Sequence, residues 1–199
     1  MVFARAPVAG RVKTRLELGA AAALRLHTRL IKKALRTARE ARCGPVELHA
    51  TAPHALFRSL GVKVRRQRGE DLGERMYCAL REALRRHRRA IVIGADVPAL
   101  APADLRRAAR LLEGSADVVL APAEDGGYAL IGARRISLRI FTGVRWGSAE
   151  VLSQTLRNIE RAGLRYGLLR TLWDVDRPED LARLKSRPLS SAFRRGARR

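Results

Sequence analysis

Ala90-Ile-Val-Ile-Gly94-Ala-Asp96-Val-Pro98 is the stretch on which the fold turns. A short apolar run with three β-branched residues in succession reads as a strand buried on both faces, as in a parallel sheet. Pro98 has no N–H to continue a ladder, so the strand ends just beyond Gly94 and leaves Asp96 at its carboxyl end. Toward the N-terminus the pattern predicts a helix over 71–87 with Leu72, Met76, Leu80 and Leu84 as its buried stripe. Before it come a short strand at 62–64, a strand at 46–50, a helix over 20–42 carrying Leu24, His27, Ile31, Leu35 and Ala38, and a first strand at 1–4. Toward the C-terminus follow a helix over 102–112, strands at 117–122 and 128–132, a helix over 148–162, a last strand at 168–175 and a last helix at 178–185. Strands alternating with helices predict one α/β domain with a mixed, mainly parallel sheet and helices on both faces.

The chain's 199 residues suit a single domain, and 47% apolar residues can fill its core. The domain is expected over 1–185, with 186–199 as a flexible basic tail. Cys43 and Cys78 stand apart and form no C-x-x-C, which argues for a reduced, cytoplasmic protein. No secretory signal and no apolar run long enough for a membrane span is present. Forty-one basic against nineteen acidic residues leave a net charge of +22. The arginines are spread over helix faces, and aromatics, which would stack on bases, are only 5%. The charge therefore predicts attraction of nucleotides and sugar phosphates, with no specific nucleic-acid site.

Parallel sheets bind ligands at the carboxyl ends of their strands, and four segments fall there. After the first strand, Ala6-Pro-Val-Ala-Gly10-Arg11-Val-Lys13-Thr-Arg15 offers a glycine for close backbone approach. In an extended loop its alternating cations would share one side as a phosphate cradle; a solvated basic loop is the plain alternative. Asp96 is either a carboxylate ligand for Mg²⁺ or Mn²⁺ or a turn cap before Pro98. Pro122-Ala-Glu124-Asp125-Gly126-Gly127-Tyr128 is either a ligand loop or a tight turn between two strands. In Asp174-Val-Asp176-Arg-Pro-Glu179, Asp176 with Glu179 makes a capping box, which leaves Asp174 unaccounted for.

The segments APVAGRVKTRL, GEDLGERM, GADVPAL, PAEDGGYALIG and DVDRPEDL, in this order from Met1 to about Lys185, resemble a bacterial family of GT-A-type glycosyltransferase-like proteins. Its members are associated with radical-SAM and selenodomain proteins or with arsenosugar biosynthesis, within the nucleotide-diphospho-sugar transferase superfamily. The resemblance implies a single GT-A-like domain and metal-dependent transfer from an activated nucleotide. Nucleotide binding would fall to Ala6, Pro7, Gly10, Arg11, Lys13 and Arg15, with Gly69, Asp71 and Gly73 flanking. Asp96, Asp174 and Asp176 would hold Mg²⁺ or Mn²⁺. Glu124, Asp125, Gly126, Gly127, Tyr128 and Trp146 would handle the sugar or a small-molecule acceptor, with Lys13, Asp96 and Asp125 catalytic. The chain departs from the family's pattern at Ala99, where a second acid is usual, at Ala9 in place of a proline, and at Trp146-Gly147-Ser148-Ala149 in place of W-S-T-P. No D-x-D includes Asp96. Glycosyl transfer is the leading expectation; nucleotidyl transfer with pyrophosphate release, or nucleotide binding without catalysis, are the alternatives.

Overall fold

The computed structural model describes residues 1–186. Seven strands form one sheet in the order β3-β2-β1-β4-β6-β5-β7. They are β1 (Val2–Ala4), β2 (Glu47–Ala50), β3 (Lys63–Arg66), β4 (Ala90–Gly94), β5 (Val118–Pro122), β6 (Tyr128–Ala133) and β7 (Tyr166–Leu168). All pairings are parallel except those of β6, which runs antiparallel to both β4 and β5. The short Pro122–Tyr128 connection permits that reversal, because only a parallel return needs a long crossover.

Alternate residues of each strand feed opposite layers, as the pleat requires. Val2, Ala4, Ile93, Val119, Ala121 and Leu130 face one cluster, which takes in Ile31 and Leu35 of α1 (Ala20–Ala41) and Leu105 and Leu112 of α4 (Pro102–Glu113). Phe3, Val92, Val118, Leu120 and Ile131 face the other, with Met76 and Leu80 of α3 (Leu72–Leu84) and Ile159 of α5 (Val151–Arg161). A one-turn α2 (Ala55–Arg58) seats Phe57 in the first layer, and α6 (Pro178–Ser186) ends the described chain. The basic tail expected at 186–199 lies, apart from Ser186, outside the described residues.

Several expectations change. Leu72 is 44% exposed, because it is the first residue of α3 and stands at the rim of a crevice; Gly73, Met76, Ala79 and Leu80 form the buried face. The last strand ends at Leu168 instead of starting there. Beyond it, Leu169 N still donates to Leu120 O at 2.9 Å, Arg170 turns away to bind Asp104 through two hydrogen bonds of 2.8 Å, and Leu172 makes an isolated bridge to Ala123. The first loop is not extended. Lys13 is left-handed (φ 52°) and opens a 3-10 turn over Thr14–Leu16, so alternation does not put its three cations on one side. Asp180, rather than Glu179, reaches back at the start of α6, accepting from the N–H groups of Asp176 (3.0 Å) and Arg177 (2.8 Å).

Candidate active site

From β1 the chain steps to β2 and β3 on one side and returns to β4 on the other. At such a switch point the loops after β1 and β4 part and leave a crevice at the strands' carboxyl ends. That crevice is a cavity of about 660 Å³ lined by Lys13, Asp96, Asp125, Tyr128, Trp146 and Asp174, among others. A second cavity of about 690 Å³ lies around Met1, Val46 and Ile91, toward the amino ends of the strands. It contains none of the motif residues, so chemistry and volume coincide only in the first.

Lys13 is the central cation. Its side chain is 6% exposed, and Nζ donates to Asp96 Oδ2 at 3.1 Å and to Val175 O at 2.5 Å. Burial alone would raise the Asp96 pKa; the charge of Lys13 and its hydrogen bond outweigh that and hold the carboxyl below its ordinary range. The Asp96 carbonyl accepts from Val175 N at 3.0 Å, which ties the strand-end loop to the segment carrying Asp174. Arg15, exposed, pairs with Asp176 at 3.0 Å, and this contact joins the first loop to the start of α6.

Asp174 has the opposite electrostatics. Burial first, then the charges of Asp96 and Asp125, push its pKa up to about 6. Among the described residues no three His, Cys, Asp or Glu side chains form a ready-made metal cage. Mg²⁺ and Mn²⁺ do not require one, since they take one or two carboxylates and complete their shell with water and substrate phosphate. A set of oxygen donors that repel one another through Asp174 fits such an ion. A carboxyl with a folded pKa above its unfolded value weakens the fold as pH rises between the two, with the full penalty above the folded pKa. Asp174→Asn is therefore expected to stabilise the metal-free protein at pH 7 by about 2 kcal/mol. The gain should vanish below about pH 4, where Asp174 is protonated in both states. Urea titrations at the two pH values check this, and equal gains at both would rule it out.

Among the described residues, the buried side-chain nitrogens and oxygens without a hydrogen-bond partner are His27 Nδ1, Tyr128 Oη and Trp146 Nε1. All three residues line this one cavity. Burial drives the Tyr128 pKa further up, so its phenol stays protonated. Thr155, whose hydroxyl donates to Val151 O at 2.8 Å, lies beside that phenol but outside hydrogen-bond geometry. Tyr128 and Trp146 meet edge to face with centroids 6.4 Å apart. An unpaired buried polar group costs roughly 1–3 kcal/mol, so three in one cavity mark a place where something else supplies partners.

Most of the other residues singled out in the sequence, Gly127 excepted, lie outside the cavity wall. Ala6 and Pro7 are buried beneath the first loop, where Ala6 N donates to Thr51 Oγ1 at 3.0 Å, while Gly10 and Arg11 are exposed. Asp71 caps α3 by accepting from Glu74 N at 2.8 Å. Gly73 makes room for the Trp146 ring, which a Cβ there would approach to 2.4 Å. Gly69 is left-handed, and its carbonyl accepts from Arg75 Nε at 3.0 Å. Glu124 is held at the surface by Arg183 of α6 through contacts of 2.6 and 3.0 Å, and Arg183 in turn covers the Trp173 ring at 4.7 Å. Gly127 lines the cavity and donates to Asp125 Oδ1 at 2.9 Å, whereas Gly126 packs against Ala149.

The wall also includes Thr51, Gln67, Arg75 and His27. Thr51 and Gln67 directly follow β2 and β3, so position at a strand end could have found them. His27 lies on the apolar face of α1, where a histidine reads as core; nothing local separates the two readings.

A model of the family DUF2064, described as an uncharacterized protein conserved in bacteria, matches residues 30–148. No curated protein matches the chain. A crystal structure from Desulfovibrio desulfuricans G20, of a protein provisionally named a nucleotide-diphospho-sugar transferase, matches with a TM-score of 0.86 at 30% identity. The match covers 98% of this chain and 89% of that one. CMP:2-keto-3-deoxy-manno-octonic acid synthetase complexed with CTP matches with a TM-score of 0.62 at 14% identity, over 93% and 95% of the two chains. Rv0371C from Mycobacterium tuberculosis H37Rv, in complex with manganese, matches with a TM-score of 0.56 at 20% identity, over 94% and 97%. At these lower identities the last two show a shared fold. The chain belongs to DUF2064, and its fold is that of the nucleotide-diphospho-sugar transferase superfamily.

Proposed function

We propose that the protein is a divalent-metal-dependent transferase acting on an activated nucleotide, with a nucleotide-sugar as donor and a small hydroxylated molecule as acceptor. The observation that carries this is the meeting, in one cavity at the switch point, of Lys13, the acids Asp96, Asp125 and Asp174, and the partnerless polar atoms. The 30% identical relative named a nucleotide-diphospho-sugar transferase supports the choice of donor. The five ordered motifs support the narrower assignment to glycosyltransferases associated with radical-SAM or selenodomain proteins or with arsenosugar biosynthesis.

Asp96, Asp174 and Asp176 would hold Mg²⁺ or Mn²⁺. The ion would supply charge neutralisation on the donor diphosphate. Lys13 adds a second positive charge where the diphosphate departs, and its burial strengthens that effect. In the transfer, the acceptor oxygen bonds to the sugar's anomeric carbon as the bond to the diphosphate breaks. Asp125 takes the acceptor proton; its Oδ1 is engaged by Gly127 N, which orients the carboxylate.

The second reading is nucleotidyl transfer, favoured by the single acid of Ala95-Asp96-Val97 in place of a D-x-D. The same groups would then stabilise attack on an α-phosphate with pyrophosphate as leaving group. Incubation with labelled nucleotide-sugars and with the four NTPs, with and without MnCl₂, separates the two. Nucleoside diphosphate released from a nucleotide-sugar is the expected result. Pyrophosphate released from an NTP would move the assignment to the second reading, and binding without turnover of any donor would leave a nucleotide-binding protein.

A further inference from the structure

His27 belongs to neither the quoted motifs nor the roles above, yet it carries an unusual atom. It sits on α1, is 5% exposed, and its Nε2 lies 3.0 Å from Arg5 O at the exit of β1. A carbonyl oxygen only accepts, so Nε2 carries the hydrogen. Burial, and then the nearby Lys13 charge, lower the pKa of the ring, whose bond to Arg5 works against them. In the neutral ring one nitrogen donates and the other is a bare lone pair. Nδ1 is that lone pair, buried and without a partner, on a residue that lines the crevice near Lys13 and Asp96.

The chemistry of that lone pair restricts what can meet it. It needs a donated proton. Ionised phosphate oxygens only accept, so a fully ionised, metal-bound diphosphate offers it nothing from its own atoms. A ribose or sugar hydroxyl does. We propose that His27 is a ligand-binding residue whose Nδ1 accepts a hydrogen bond from a hydroxyl of the bound nucleotide, so that the site distinguishes a nucleotide from a bare polyphosphate. This deepens the nucleotide reading and rests on it.

Two variants separate the two ring nitrogens. His27→Gln keeps an amide N–H at the Nε2 position, for Arg5 O, and removes the acceptor at Nδ1. His27→Asn places an amide oxygen near Nδ1 and gives up the Arg5 bond. Binding of UDP, CDP, ADP and GDP, and of pyrophosphate, each with MnCl₂, is measured by calorimetry for the parent and both variants. Alongside, the imidazole ¹⁵N resonances of the four histidines are followed. His27→Gln should weaken the best-binding nucleoside diphosphate about tenfold, the value of one hydrogen bond, and leave pyrophosphate unchanged. His27→Asn should keep the nucleotide affinity and lose thermal stability. The His27 Nδ1 resonance should move on adding that nucleotide and stay in place with pyrophosphate. Equal weakening of both ligands by His27→Gln, or of neither, or an Nδ1 resonance that ignores the nucleotide, would overturn the assignment. A parent protein that binds no nucleotide at all would sink the functional reading first, and this assignment with it.

Discussion

Asp96→Asn is expected to lower turnover by about 10²–10³-fold while the fold survives, the range seen when a preorganised electrostatic group is removed. The change is nearly isosteric and Asn Oδ1 can still accept from Lys13 Nζ, so the 3.1 Å contact persists without its charge. The Asp96 side chain is 43% exposed, so the lost ion pair is partly screened and should cost about 1 kcal/mol or less. Lys13 keeps its bond to Val175 O. Activity responds differently, because Asp96 is the acid placed both to hold a divalent ion and to balance Lys13. Its loss removes the reason for a metal–diphosphate complex to settle there. Two measurements check this: the denaturation midpoint, expected to change little, and the stabilisation conferred by MnCl₂ with UDP or a UDP-sugar, expected to vanish. If Asp96 were only the cap of the turn before Pro98, Asn would serve as well. A variant with the parent's metal–nucleotide stabilisation and turnover would therefore remove Asp96 from the site.

Gly126→Ala is expected to destabilise the protein by more than about 3 kcal/mol, a loss large enough to unfold a marginal domain. Gly126 is left-handed (φ +86°), a conformation with a penalty of its own for any residue with a Cβ. The added carbon would also stand 2.1 Å from Ala149 O and 2.6 Å from Ala149 Cα, backbone atoms that no rotamer change can move aside. Gly126 O accepts from Leu152 N at 2.9 Å, so relief of the clash would break a bond that docks the turn on the start of α5. The turn carries Asp125 and Tyr128, and the segment it clasps carries Trp146, so the cavity wall should loosen with it. Gly143→Ala is the control. Gly143 is also left-handed (φ +72°), but a Cβ added there would meet nothing within 4 Å, so only backbone strain of about 1 kcal/mol is expected. Urea denaturation of the two variants measures the difference; similar losses would show that the Ala149 contact yields easily.

The fold was legible because its signals are local. The run at Ala90–Gly94 became β4 residue for residue, and the alternation of strands with amphipathic helices required helices on both faces of the sheet. Asp96 could be placed at a strand's carboxyl end from Pro98 alone. Where a local pattern met a tertiary demand, the demand decided. Leu72 fits the apolar stripe of α3 but lies at the rim of the crevice, and Leu168–Val175 has a strand's composition but leaves the sheet so that Arg170 can bind Asp104. The glycines of the Glu124–Tyr128 and Gly69–Gly73 segments could be read as openings for a ligand, yet what approaches Gly126 and Gly73 is Ala149 and Trp146.

The amino-acid order by itself determined the fold class, the strand-end position of Asp96 and the basic character of the first loop. Only the tertiary structure decided that Lys13, and neither Arg11 nor Arg15, turns inward to Asp96, that Glu124 is held by Arg183, and that His27 lines the crevice with a buried, partnerless nitrogen. The physical reason is range. Strand and helix patterns come from neighbours two to four positions apart, whereas these contacts join residues 83, 59 and 22 positions apart, and no local pattern encodes which of several like-charged side chains finds the one complementary partner.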